Sequence, residues 1–220
     1  MFRSLPLTLV LGFAAVALPA QAVTTEQFTV VETTGGKTTR ATTTVTLQQS
    51  EGLSWETSVG KEGTNRVGTD AEGILRVLET TAPQGHCTLT SDGVTLKVAG
   101  TWAGKPLSGT LELKGRVWGL GFEPALKWYW RKGYAGSMPF LMVNPGDLAH
   151  PTPMVFTNDG SETVKGRQLT RLKVTLEGAM ALFWGAKIWV DPTTGRMVRY
   201  QGTKGPGTPE SVIEVEVPAI

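Results

Sequence analysis

Beyond residue 22, apolar and polar side chains alternate with a period of two, in runs rich in Thr, Val, Leu and Trp. Successive side chains of an extended chain point to opposite faces, so these runs describe strands with one face on a core and one in water. Ala41, Thr43, Val45 and Leu47 share one face of a long Thr-rich run, and Thr42, Thr44 and Thr46 share the other. Leu53, Trp55 and Val59 continue the pattern after a Glu51-Gly52 turn, and residues 74–80 make a further strand. Residues 88–90 and 94–98 flank Ser91-Asp92-Gly93, where Asp-Gly supplies the positive φ of a tight hairpin. Val94, Leu96 and Val98 then face one way against Thr95 and Lys97, and Leu107, Leu111 and Leu113 oppose Ser108, Thr110, Glu112 and Lys114. In the last third, Leu172, Val174 and Leu176 oppose Arg171, Lys173 and Thr175. Residues 188–190 and 197–200 flank Asp191-Pro-Thr-Thr-Gly195, and Ile213, Val215 and Val217 oppose Glu214 and Glu216. About ten strands with turns roughly every 8–12 residues predict a mainly β protein, a curved antiparallel sheet closing into a half-barrel or open barrel.

One stretch departs from this period. Phe122, Leu126, Tyr129 and Trp130 recur at helical spacing, with Pro124 suited to a first turn and Gly133 to a stop, which predicts a short helix. The apolar run Met138-Pro-Phe-Leu-Met-Val143 follows and ends at Asn144-Pro-Gly146, a turn sequence. We read 119–153 as a helical and loop insertion forming a lid or plug on a single β-rich domain, 23–220.

Residues 1–22 have the three parts of an export signal: basic Arg3, an apolar stretch over 5–18, and Ala20-Gln21-Ala22, whose small residues suit cleavage after Ala22. Removing it leaves about 200 residues, enough for one domain with a substantial core. No cysteine near the cleavage site offers a lipid anchor, and no later apolar run approaches the ~20 residues of a membrane-spanning helix. The periplasm is the expected compartment, with secretion as the alternative. At 40% hydrophobic, 18% charged and a net charge of +2, the chain has the composition of a folded domain and no strong field for nucleic acid. Cys87 is the sole cysteine, so no internal disulfide forms. Adjacent His86 points to the opposite face of a strand, which separates it from the thiol.

Familiar catalytic and cofactor patterns are missing: there is no Gly-x-Ser-x-Gly, phosphate-cradling Gly-rich loop, His-Glu-x-x-His or Cys-x-x-Cys. His86 and His150 are the only histidines, too few for a histidine-rich metal site. The acidic pairs Asp70 with Glu72 and Asp159 with Glu162 sit in polar, Gly-containing turns, where solvation argues against the raised pKa of a catalytic acid. We therefore expect no catalytic set, no metal and no cofactor.

The remaining signal is aromatic. Trp118, Phe122, Trp128, Tyr129, Trp130 and Phe140 crowd one stretch together with Lys127, Arg131 and Lys132. Three consecutive rings on a helix that turns roughly 100° per residue cannot all face inward. The expected ligand-binding set is thus Phe122, Trp128, Trp130, Phe140 and Met142 as an apolar gate, with Lys127, Arg131 and Lys132 outside it to meet an anionic head.

The closing stretch, Phe183-Trp184-Gly185 through Trp189-Val-Asp191 and Gly195 to Arg199-Tyr200, resembles the terminal hairpin of exported bacterial proteins of unknown function, in which Trp-x-Asp leads through a Gly turn into an Arg-Tyr strand. The architecture is similar to LolA- and LolB-type lipoprotein carriers and receptors, which implies an open half-barrel with a helical lid over an apolar cavity. The expected function is a non-catalytic periplasmic binding or carrier protein for a lipid or other hydrophobic small molecule. The alternatives are an envelope assembly protein with a packed interior and a protein partner, and a hydrolase on envelope polymers.

Overall fold

The computed structural model describes residues 23–203 and 208–216. The expected export signal, Val217 and residues 204–207 ahead of the last strand lie outside these residues. Period-two patterning produces strands throughout: β1 (Thr24–Thr34), β2 (Lys37–Ser50), β3 (Leu53–Gly60), β4 (Gly63–Thr69) and β5 (Leu75–Ala82). They are followed by β6 (Gly85–Ser91), β7 (Thr95–Trp102), β8 (Lys105–Glu112) and the short β9 (Val117–Gly119). Helix α1 (Glu123–Arg131) comes next, then β10 (Ser137–Asn144), β11 (Asp147–Val164), β12 (Arg167–Leu176), β13 (Gly185–Val190), β14 (Met197–Thr203) and β15 (Glu210–Glu216).

The fifteen strands of the described residues form one sheet in the order 8-7-6-5-4-3-2-1-15-14-13-12-11-10-9. Neighbours are joined by hairpins except at two places. β1 pairs with β15 near the middle of the sheet, from Thr29↔Glu216 to Thr34↔Ser211, and β9 pairs with β10 in parallel. Parallel neighbours need a crossover, and α1 supplies it. The two outermost strands, β8 and β9, do not pair with each other, so the curved sheet is unclosed.

The strand count exceeds the ten or so that alternation reveals, because several strands lack apolar alternation. β4, Gly-Thr-Asn-Arg-Val-Gly-Thr, shows almost none: a Cβ on Gly68 would lie 3.0 Å from the Trp55 ring, so a bare backbone lets that indole cover the strand. The Asp92-Gly93 hairpin forms between β6 and β7, with Asp92 Oδ1 accepting from the Val94 and Thr95 N–H groups. Val59 and Val94, expected on an inner face, stand 49% and 64% exposed at strand ends.

The insertion read over 119–153 is smaller than expected. Only α1 and its connections leave the sheet; Met138-Pro-Phe-Leu-Met-Val143 is β10, and His150, inside the expected insertion, lies on β11. The continuous apolar run has a physical cause, because β10 is buried on both faces. Met138 and Phe140 enter a core with Ala125, Leu126 and Tyr129 of α1 and Phe156, Leu172 and Ile188 of the facing strands. Leu141 and Val143 enter a second core with Trp118 and with Leu75, Leu78, Leu89 and Leu96 of β5 to β7. Cys87 is buried in this second core, with burial pushing its thiol pKa up, while His86 is exposed.

Candidate functional site

Two cores occupy the flanks of the sheet, and between them the inner faces of the central strands meet α1 and the 191–197 segment across an open hollow. Phe28 and Val30 of β1, Thr43 and Val45 of β2, and Ile213 and Val215 of β15 are i, i+2 pairs pointing the same way. With Met197 below and Leu126 of α1 above, they form the apolar floor and roof of a hollow of about 490 Å³. That falls within the roughly 300–1,000 Å³ of small-molecule sites.

Its rim is charged and internally neutralised. Lys127 of α1 is paired with Glu56 of β3. Arg167 of β12 lies 2.7 Å from Asp191. Arg196 pairs with Glu26 and places its guanidinium 5.0 Å from the Phe28 ring centroid, over the apolar floor. Glu123, four residues before Lys127, has no hydrogen-bond partner among the described residues. It is exposed on the side open to the hollow, and partial desolvation by the protein around it shifts its carboxyl above the ordinary carboxylate range. Lys127 and Arg196 pull it back down, and Glu56 pushes it further up.

Helix α1 is held over this hollow at both ends. Pro124 occupies its first turn, and it stops where the Tyr134 N–H donates to Tyr129 O at 3.1 Å around Gly133, at φ +66°. The Lys127 pair ties one side to β3. On the other, Trp130 Nε1 donates to Pro192 O at 3.0 Å, and its ring lies against Gly195 so closely that a Cβ there would come within 2.6 Å of it. Asp191, whose carboxylate accepts from the Thr193 N–H and hydroxyl, shapes that turn.

Of the eight side chains expected to gate and rim a cavity, Lys127 is the one that borders the hollow. Phe140 is fully buried, its ring stacked on Phe156 at 4.5 Å. Phe122 packs between Phe140, Phe156 and Tyr200, at 6.0–6.3 Å. Met142, Trp128 and Trp130 are half-buried against the same core. Lys132 is exposed 5.0 Å over the Trp128 ring, and exposed Arg131 lies against Gly73 in the β4–β5 turn. Tyr129, the central ring of the three, faces inward, as the 100° rotation requires. The aromatic stretch thus builds the base on which α1 rests, beside the hollow rather than around it.

Sequence reasoning missed the floor. Its signal was present in the shared face of Thr43 and Val45 and of Ile213 and Val215, but a strand pattern does not say whether another element covers that face.

No protein-family model matches the chain, and no curated protein matches it. Among solved structures it is similar to the hypothetical lipoprotein YmcC from Escherichia coli K12, at 15% identity over 88% of this chain and 85% of that one, with a TM-score of 0.32. It is similar also to a chain of the Pseudomonas aeruginosa MucA/MucB complex, at 15% identity and TM-score 0.33, covering 89% of this chain and 52% of that one, about half its length. A third is the LolA superfamily protein NE2245 from Nitrosomonas europaea, at 11% identity and TM-score 0.22, covering 91% and 86%. Likeness at this level identifies neither ligand nor partner.

Proposed function

We propose that this chain is an exported, non-catalytic binding or carrier protein for an apolar, lipid-like ligand, seated beneath α1 and working in the periplasm. The observation that carries the reading is the hollow of about 490 Å³ with an apolar floor on the central strands. Val30, Val45, Ile213 and Val215 are only half-buried on this floor, and a ligand chain would complete their burial. Phe28, Val30, Val45, Leu126, Ile213 and Val215 contact the apolar part of the ligand. Glu123, Lys127 and Arg196 meet its polar end. Trp130 and Phe122 act from behind by fixing the helix, with Trp128, Phe140 and Met142 in the base beneath them. Such a hollow also favours a carrier over an assembly protein with a packed interior.

Titration with a fluorescent fatty acid tests this. The mature protein should bind it with a change in tryptophan emission, and Val45→Trp, which fills the hollow with a larger side chain, should weaken binding by ~10-fold or more while the protein stays folded. Unchanged emission and an unchanged thermal midpoint at saturating fatty acid and phospholipid would overturn the reading.

A further inference from the structure

Between β12 and β13 the chain forms a 3-10 turn, Gly178–Leu182, followed by Phe183. Met180, Leu182 and Phe183 are 54%, 89% and 70% exposed, half of the six large apolar side chains that stand exposed among the described residues. No charged residue occurs from 178 to 186. The turn is held in this outward posture. Before it, Glu177 accepts from both terminal nitrogens of Arg116, at 2.5 and 3.1 Å, and its N–H donates to Pro153 O. After it, Trp184 Nε1 donates to Thr203 O at 3.0 Å. Met180, Leu182 and Phe183 thus form a cluster of exposed apolar side chains within four residues, of the kind interaction sites carry.

The strands leading to the turn add a second, independent feature. Lys173 and Lys187 are direct cross-strand partners, both exposed, on the convex side opposite Leu172, Val174 and Ile188. Like charges placed opposite one another repel. Neither lysine makes an ion pair among the described residues, although the charge of Lys187 is felt by Glu162; the neighbouring cations of this face are paired directly, Arg171 with Asp159 and Glu162 and Arg199 with Glu214. A shallow depression of about 460 Å³ borders the two lysines, running over Gly202 and Thr203 to Glu210, whose carboxylate accepts from Gln201.

We propose that the 178–183 turn and the Lys173–Lys187 pair together dock the protein on an anionic phospholipid bilayer. Lys187 follows Phe183 by four residues, at most about 13 Å for a fully extended chain. With the apolar tip seated ~5–10 Å into the headgroup and acyl boundary, the lysines stand at the phosphate level. Exposed apolar side chains beside two unpaired cations complement a charged interface with an apolar interior. Docking does not require the hollow, and so goes beyond the carrier reading.

Flotation with vesicles of phosphatidylethanolamine and about a third phosphatidylglycerol, against vesicles of phosphatidylcholine alone, tests it. The mature protein should float with the anionic vesicles and lose this as salt rises. L182S/F183S, altering exposed side chains only, should retain the wild-type thermal midpoint and lose ~10-fold or more in partitioning. K173Q/K187Q should lose roughly 10–30-fold on anionic vesicles and most of the salt dependence. Val45→Trp should float like the wild type, so a failed ligand reading and a failed docking reading are told apart. Wild-type protein that stays with the aqueous phase, or L182S/F183S that floats equally well, overturns the proposal.

Discussion

Glu123 concentrates the electrostatics of the hollow in one side chain. Its proton is held above the ordinary carboxylate value of 4.5, so the folded protein binds more protons than the unfolded chain above that pH. Stability therefore falls as pH rises from about 4.5 through the raised value. Glu123→Gln should flatten the dependence of thermal midpoint on pH over this interval and lie above the wild type at neutral pH; a slope that survives the substitution would mean that other groups cause it. Phe140 shows the opposite kind of residue, fully buried and stacked on Phe156. Phe140→Ala should cost ~3–5 kcal/mol in denaturant unfolding. Both residues stand in one stretch of sequence, and composition marks that stretch as aromatic and charged without telling a buried base from a cavity wall.

At the scale of elements, α1 and β10 show how differently local pattern translates. The helix was legible from spacing, Pro124 and Gly133 because its determinants are local. Its neighbour β10 reads as a knot ending in a turn, because a continuous apolar run has no period; only the two cores on either side of it explain why both faces are apolar. Fastening α1 over the hollow depends on contacts between distant residues, notably Trp130 with the 191–195 turn. Trp130→Ala should lower global stability by only about 1–2 kcal/mol, because the ring is half-buried. It should also speed hydrogen exchange of the α1 amides while leaving those of β11 and β12 unchanged. Equal acceleration in both regions would show that the helix and sheet unfold as one unit and that Trp130 is no separate latch.

Among the described residues, the molecule is a sheet with more inner surface than the nine-residue helix α1 can cover. Curvature lets β9 and β10 pack back against β5 to β7, and α1 fills part of the other flank, leaving the middle strands facing open space. A ligand that binds only the folded form stabilises it in proportion to its occupancy. At about 100-fold excess over Kd the thermal midpoint should rise by roughly 5–10 °C, and Val45→Trp should abolish the rise. A shift of the same size in that variant would place the ligand elsewhere.

Most of the strands, the Asp92-Gly93 hairpin and the short helix with its stop at Gly133 followed from the order of residues alone, since alternation, Asp-Gly turns and helical spacing act over a few neighbouring positions; β4 and β10, which lack a period, did not. Tertiary structure alone decided which inner faces meet another layer, where the hollow lies, and that Lys127 borders it while Phe140 is core. Those outcomes depend on how a fifteen-stranded sheet curves and on contacts between residues far apart in the chain, such as Glu56 with Lys127 and Arg196 with Glu26. An alternating strand carries the same pattern whether its apolar face meets a neighbouring layer or an empty trough.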